Sequence, residues 1–146
     1  MIIPVTNPRL VDRLIPLIEK LEQAEVPSIP RYLSYIKMAV PQEAALLLVD
    51  FDDNNNATSF LFAEGIISIG EKEVFIDMAY YDPANRKVGR EMQRMVELWA
   101  KDRGCSYIAI FTHENRVKAY IKKYGFTDKT VLLRKKLEVS NALPNE

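Results

Sequence analysis

The chain has 146 residues, in which 20 lysines and arginines balance 20 aspartates and glutamates, so its formal net charge is zero. This length suits one domain with a substantial core, and the even charge argues against a nucleic-acid-binding surface as the main function. No apolar run approaches the roughly 18 residues of a membrane span. The lone cysteine, Cys105, can form no internal disulfide. We therefore expect a cytoplasmic protein that binds neither nucleic acid nor a membrane.

The predicted elements follow one another in an order typical of an α+β domain. They are a strand at 1–5, helices within 8–40, strands within 45–81, a helix at 88–103, a strand at 107–112, a helix at 114–124, a strand at 130–137 and a tail at 140–146. The first four strands form a meander, and strand, helix, strand, helix and strand follow. We predict a single domain over residues 1–146, with helices flanking a mixed, mostly antiparallel sheet.

Start and break signals set the bounds of the first helices. Asn7 as N-cap with Pro8 at the first helical position is a typical helix start. Pro16 lies inside the apolar periodicity that follows, and a proline there removes one backbone hydrogen bond. We therefore predict a kink or two short helices, a break over residues 26–30, and a second short helix over residues 31–39.

A basic loop with one glycine joins the fourth strand to the third helix. The first N–H groups of a helix have no partner inside it, and the helix dipole favours negative charge there. A loop that carries Arg86, Lys87 and Gly89 at this place predicts a phosphate site. The alternative is a basic loop that caps the helix and binds no ligand.

Residues 79–89, AYYDPANRKVG, and the helix that ends in WAKDRGC resemble the coenzyme A core of the GNAT superfamily, the acyl-CoA-dependent N-acyltransferases. The resemblance implies that loop amides hold the pyrophosphate of acetyl-CoA and that a fourth-strand amide polarises the acetyl carbonyl. The strands are expected to splay at this site. The implied contacts with acetyl-CoA are Met78, Ala79, Tyr80, Arg86, Lys87, Val88, Gly89, Arg90 and Asn115.

The loop departs from the family pattern in either of two registers. Anchoring on the third helix puts Gly89 at the last glycine of the family, with Ala84 and Lys87 in place of its arginine and first glycine. A literal reading of residues 86–91 keeps the arginine and the first glycine but ends in glutamate. We prefer the first register, because it preserves the loop length and points Val88 into the core.

The last helix ends in Gly125 and Phe126, as in the family, where a tyrosine of this helix protonates the departing thiolate. Counting back from Phe126 places Ile121 at that position, and Tyr120 lies one residue earlier, about 100° around the helix. The resemblance implies that Tyr120 is the catalytic acid. The alternative is that Tyr120 and Tyr124 are packing residues.

A base that deprotonates an ammonium acceptor must be a carboxylate or a histidine near the strand splay. Asp77 is our candidate, because we expect it on the face of the fourth strand opposite to Val74, Ile76 and Met78. Glu64 and Glu73 are further candidates. For each carboxylate the alternative is a solvated or hydrogen-bonded structural role.

Tyr32 and Tyr35 lie in the short helix after the break, where the family commonly places contacts with the acceptor. The resemblance therefore implies that they contact the acceptor, and the alternative is an amphipathic helix that packs one face. His113 is the single histidine, and with no cysteine near it we predict no metal site. A homodimer would cover a sheet edge, although no residue specifies it.

The resemblance implies an acetyl-CoA-dependent N-acetyltransferase, in which the primary amine of a small molecule or peptide attacks the thioester directly. The alternative is a protein that kept the fold for binding and lost turnover. Three departures from the family motifs motivate this alternative, namely Ala84, Lys87 and Ile121.

Overall fold

The computed structural model describes residues 1–21, 28–68, 70–110 and 114–127, together with the single positions 133, 135 and 137. His113, the side chain of Asn115, most of the predicted strand at 130–137 and the tail at 140–146 lie outside the described residues. None of the helices in the described part is long and apolar enough to cross a membrane.

The described elements form a five-stranded sheet with helices on both faces. In chain order they are β1 (Ile2–Pro4), a 3₁₀ helix (Pro8–Leu14), α1 (Ile15–Ile18), α2 (Ile29–Ala39), β2 (Ala45–Phe51), β3 (Ala57–Ser68), β4 (Glu71–Tyr80), α3 (Val88–Asp102), β5 (Tyr107–Ile110) and α4 (Glu114–Tyr124). The strand order is β1-β2-β3-β4-β5. Strands β1 to β4 are antiparallel, and β5 runs parallel to β4. The α+β class with a mixed, mostly antiparallel sheet is confirmed.

Prolines begin helices in the N-terminal region. Asn7 caps the 3₁₀ helix, where its side chain accepts a hydrogen bond from the Arg9 N–H at 3.0 Å. Pro16 lies in the first turn of α1, so the chain forms two short helices, as predicted. The predicted break over residues 26–30 is wrong at its C-terminal end, because α2 already begins at Ile29. Pro30 lies in the first turn of α2, where its missing N–H would have no partner in any case.

The sheet separates two apolar cores, and the alternation of side chains along β3 assigns residues to each. Phe60 and Phe62 pack toward the 3₁₀ helix, α1 and α2. Leu61 and Ala63 pack toward α3. From the side of α3 the second core receives Val88, Met92, Val96 and Ala100, each buried. The two cores hold α2 against one face of the sheet and α3 against the other, where they flank β4.

Strand β4 carries one extra residue relative to β3. Phe62 pairs with Met78 and Ala63 pairs with Ile76, so Asp77 has no residue opposite it. Such a bulge shifts the alternation of side chains. Ile76 packs in the α3 core, whereas Met78 packs in the α2 core. Asp77 also faces α2, so the expectation that it lies opposite to Met78 is wrong, because the bulge puts both side chains on one face.

Candidate active site

The edge of β4 opens next to the loop that leads into α3. Among the described residues, strand β5 pairs with β4 from Glu73 to Ile76. The segment Met78–Tyr80 pairs with β3. The backbone groups that this segment turns away from β3 have no strand partner within the described part of the chain. The segment contains the three strand residues predicted to contact acetyl-CoA.

Asp82 fixes the start of the loop between β4 and α3. Its N–H donates to the Ser59 hydroxyl at 2.8 Å, and its carboxylate accepts from the Ala84 N–H at 3.0 Å. Ser59 is fully buried on β3, so the loop is tied to the sheet. The sequence interpretation missed Asp82, although aspartate that bonds the backbone two residues on is a known turn signal.

Asn85 accepts hydrogen bonds from two backbone N–H groups at the start of α3. Its side-chain oxygen accepts from the Lys87 N–H at 3.2 Å, and its carbonyl accepts from the Val88 N–H at 3.4 Å. We also missed this residue, for which the same turn chemistry is the signal. The next N–H groups, those of Gly89 and Arg90, have no partner among the described residues. A phosphate at the N-terminus of α3 would therefore meet these two amides.

The surroundings of this N-terminus are basic. The side chains of Arg86, Lys87 and Arg90 are all exposed. No ion pair engages them within the described part of the chain. Glu91 is the acidic residue in the first turn of α3. Val88 is buried, as the preferred register of the loop requires.

Gly89 is covered by two tyrosines. A Cβ atom placed on Gly89 would lie 2.6 Å from the Tyr124 hydroxyl and 3.3 Å from the Tyr81 ring, so glycine is the residue that fits. The Tyr124 hydroxyl therefore lies directly against α3 at Gly89. Our interpretation of the sequence missed both tyrosines in this role.

Tyr120, the predicted acid, lies in an aromatic cluster beside the end of β4. Its ring centroid is 5.4 Å from that of Tyr124 and 5.8 Å from that of Phe126. Burial, followed by the neighbouring Tyr120 and Tyr124, raises the pKa of Tyr81 far above its ordinary value. Ile121, which holds the family position of the tyrosine, is 47% exposed. The structure thus brings Tyr120, rather than the residue after it, to the strand end.

A cavity of about 360 Å³ lies between α2 and the sheet, on the face opposite to α3. It is lined by Ser28, Arg31, Tyr32, Tyr35, Glu64 and Asp77. The structure therefore brings together the predicted acceptor contacts, the predicted base and one of the two further carboxylates. Glu73, the other one, does not line this cavity. We call this space the acidic cavity.

Asp77 is the unusual group of the acidic cavity. Burial, then a hydrogen bond with Glu64 and the negative charge of Glu64, raise the pKa of Asp77 from 3.8 to about 8. Its Oδ2 atom is buried and has no hydrogen-bond partner among the described residues. At neutral pH Asp77 therefore holds a proton for most of the time.

Tyr35 holds the other carboxylate in place. Its hydroxyl donates to the Glu64 Oε1 atom, and its ring packs edge-on against Phe62 at 6.2 Å between centroids. This hydrogen bond is the largest cause that raises the pKa of Tyr35 to about 12. Burial, and then the charges of Asp77 and Glu64, raise the pKa of Tyr32. Both phenols that line the cavity therefore stay neutral at physiological pH.

Among the described residues, no three histidine, cysteine, aspartate or glutamate side chains cluster in a way that could hold a metal ion. Cys105 is half-buried and packs against the α3 core.

The sequence matches no protein-family model and no curated protein. Solved structures do match along almost the whole chain. The aminoglycoside antibiotic 6'-N-acetyltransferase AAC(6')-Ih from Acinetobacter baumannii has a TM-score of 0.76 and 18% identity, over 96% of this chain and 99% of that one. AAC(6')-IG from Acinetobacter haemolyticus has a TM-score of 0.75 and 24% identity, over 94% and 99%.

A third match is AAC(6')-Iy, solved in complex with the bisubstrate analogue CoA-S-monomethyl-acetylneamine. It has a TM-score of 0.72 and 16% identity, over 94% of this chain and 98% of that one. These identities are low, so the likeness concerns the fold. The resemblance seen in residues 79–126 is confirmed at that level: this chain has the GNAT fold of the N-acetyltransferases.

Proposed function

We propose that the protein is an acetyl-CoA-dependent N-acetyltransferase that acts on the primary amine of a small molecule. One observation carries this proposal. The β4 bulge puts Asp77, a carboxyl group with a pKa of about 8, in the acidic cavity, directly before the strand segment Met78–Tyr80 that leads to α3. The proposed amine site and the helix end at which we propose phosphate binding thus adjoin one strand, and transfer from acetyl-CoA to an amine requires such proximity.

The acidic cavity provides the groups that an amine acceptor needs. Glu64, held by Tyr35, attracts the positive ammonium group into the cavity. Asp77 then accepts a proton from that group, because its pKa lies close to the working pH of a general base. The neutral amine nitrogen can attack a carbonyl carbon. Tyr32 and Tyr35 line the space in which the rest of the acceptor would lie.

We place acetyl-CoA on the other side of β4, where it would supply the acetyl thioester when it is bound. The N–H groups of Gly89 and Arg90, with the side chains of Arg86 and Lys87, would hold its diphosphate. The open edge Met78–Tyr80 would donate an N–H to the acetyl carbonyl, and Asn115 remains a predicted contact. AAC(6')-Iy, which binds a CoA bisubstrate analogue, supports a coenzyme A site in this fold.

Tyr120 is the residue that we assign to protonate the leaving thiolate. The phenol lies in the cluster beside the end of β4, next to Tyr124 and near Tyr81. A neutral phenol can supply a proton to a thiolate within hydrogen-bond reach. The Tyr120→Phe variant should therefore lose turnover without losing affinity for acetyl-CoA, since the hydroxyl acts on the leaving group alone.

The binding of acetyl-CoA is tested by thermal unfolding. Millimolar acetyl-CoA should raise the melting temperature, because a ligand that binds the folded state stabilises it. The double variant Arg86→Glu, Lys87→Glu should lose most of that rise. Lys101→Glu, an exposed lysine at the other end of α3, should keep it. A wild-type protein whose melting temperature does not change would contradict the proposal.

Catalysis is tested by the release of free thiol with a panel of primary amines. In the wild type, kcat/KM should rise with pH through about 8, as Asp77 loses its proton. Asp77→Asn should lower kcat/KM by roughly a hundredfold or more and abolish that inflection. A variant that keeps the rate and the pH profile would show that Asp77 is not the base.

A second candidate function is a GNAT-fold protein that binds a ligand without turnover. The observation that favours it is the loop itself, in which Asn85 occupies the amides of Lys87 and Val88. The native loop would then bind a diphosphate weakly, because two of its amides are already hydrogen-bonded. In that case Lys87→Gly should bind coenzyme A better than the wild type, and the wild type should release no thiol with any amine.

A further inference from the structure

Arg31 brings a positive charge into the acidic cavity. It lies in the first turn of α2, is exposed, and lines the cavity together with Glu64 and Asp77. Yet it forms an ion pair with neither carboxylate, since the ion pairs among the described residues join other groups. Within the part of the chain that the structure describes, the guanidinium therefore has no carboxylate partner.

Arg31 and the residue that holds Glu64 lie on the same face of α2. Arg31 and Tyr35 are four residues apart there, which separates their backbones by about 6 Å along the axis. Tyr35 donates to Glu64, so the residue that holds this carboxylate lies about one turn from Arg31. Ser28, one turn before Arg31, also lines the cavity and makes no side-chain cap hydrogen bond.

We propose that the acidic cavity selects acceptors that carry a carboxylate on the same molecule as the primary amine, with Arg31 as the residue that determines this specificity. The proposal rests on the proposed function, because it names the acceptor class of that same site. The amine would lie between Glu64 and Asp77, and the carboxylate would lie against the Arg31 guanidinium. The fork of N–H groups on an arginine matches a carboxylate in a two-bond contact.

The same arrangement disfavours acceptors with several positive charges. A second ammonium group placed one helical turn from the first would approach Arg31, and like charges at short range repel. The cavity volume of about 360 Å³ suits a small molecule or the end of a chain. The predicted class is therefore an amino acid with its amine several bonds from the carboxylate, either free or at the end of a peptide.

Two matched pairs of acceptors test this selectivity. The first is ε-aminocaproate and its amide, and the second is Nα-acetyl-lysine and its amide. Within each pair the reacting amine is the same and only the distant carboxylate differs. The acid of the first pair contains no peptide group. If the preference for the acid over the amide is stronger in the second pair, the acceptor is the end of a peptide rather than a free amino acid. We expect kcat/KM to be at least about tenfold higher for each acid, as a charge-assisted hydrogen bond provides.

Variants at position 31 assign the preference to the guanidinium. In Arg31→Gln the ratio of acid to amide should fall to within about twofold, and Arg31→Lys should restore part of it, because the charge returns without the fork. Arg94→Gln, an exposed arginine of α3 on the other face of the sheet, should keep the wild-type ratio. Because Arg31 is exposed, its replacement should leave the fold intact, as a melting curve will show.

Binding is measured separately from turnover, by the shift in melting temperature that each acceptor causes on its own. Equal shifts and equal rates for acid and amide would overturn the selectivity while leaving the transferase function intact. A preference that persists in Arg31→Gln would overturn the role of Arg31. Conversely, Arg31-dependent binding of the acids without thiol release would refute the proposed function and support the selectivity.

Discussion

The raised pKa of Asp77 should make the protein less stable as the pH rises. In the folded state the carboxyl group titrates near 8, and in the unfolded chain it titrates near 3.8. Between these values the folded state holds one more proton than the unfolded state. The free energy of unfolding therefore falls with rising pH, by at most about 1.4 kcal/mol per pH unit. Above pH 8 the slope disappears, because Asp77 is then ionised in both states.

The variant Asp77→Asn removes this penalty. An amide mimics the protonated carboxyl group and can donate a hydrogen bond to Glu64. Over the whole interval the full effect would be about 6 kcal/mol, but Asp77 is only partly buried. Solvent screening reduces that figure, and we expect a gain of about 2–3 kcal/mol at pH 8.5. At pH 4 the variant and the wild type should be equally stable.

The assay is urea unfolding of both proteins at pH 4, 6 and 8.5, with the unfolding free energy extrapolated to water. Asp53→Asn, in an exposed turn, is the matched control and should show the same difference from the wild type at every pH. Glu64→Gln should narrow the pH range over which the stability of the wild type falls, because it removes the part of the pKa shift of Asp77 that burial does not cause. If Asp77→Asn gained nothing between pH 4 and 8.5, the account of the carboxyl pair would be refuted.

Two further variants test contacts of the candidate site. Gly89→Ala should lower the unfolding free energy by about 1–3 kcal/mol, since the new Cβ would lie 2.6 Å from the Tyr124 hydroxyl. In a Tyr124→Phe background, which removes that oxygen atom, most of the loss should disappear, and additive losses would contradict the packing argument. Tyr35→Phe should lose about 1 kcal/mol at pH 7 by urea unfolding, because it removes the donor to Glu64. The same change in Glu64→Leu should have little effect, and an equal loss there would contradict the assigned hydrogen bond.

Local signals predicted most elements of this fold correctly. The glycines after α3 and α4, Gly104 and Gly125, have φ values of +70° and +73°, and both were expected to end helices. Asn7 caps the first helix as its position predicts. The prediction placed Pro30 in the break between helices, whereas it lies in the first turn of α2. A proline can follow one helix or begin the next, and the packing of the residues after it decides which of the two occurs.

The residues of the candidate site also fall into two groups, those that local signals predicted and those that tertiary contacts place. The residue types in the loop and in the last helix indicated a basic helix end and a nearby phenol, because those signals lie within a few neighbouring residues. The bulge at Asp77 has no such local signal, since it depends on how β4 pairs with β3. The contact of Tyr124 with Gly89 joins two helices that are distant in the chain.

The sequence by itself therefore determined the order of the strands and helices, the GNAT resemblance and the basic N-terminus of α3. These follow from hydrophobic periodicity and capping, which act over a few residues. Only the tertiary structure decided that Asp77 faces α2, that burial and Glu64 raise its pKa, and that Arg31 shares their cavity. The physical reason is that burial and charge pairing depend on contacts across the sheet, where one extra residue in a strand changes the face on which a side chain lies.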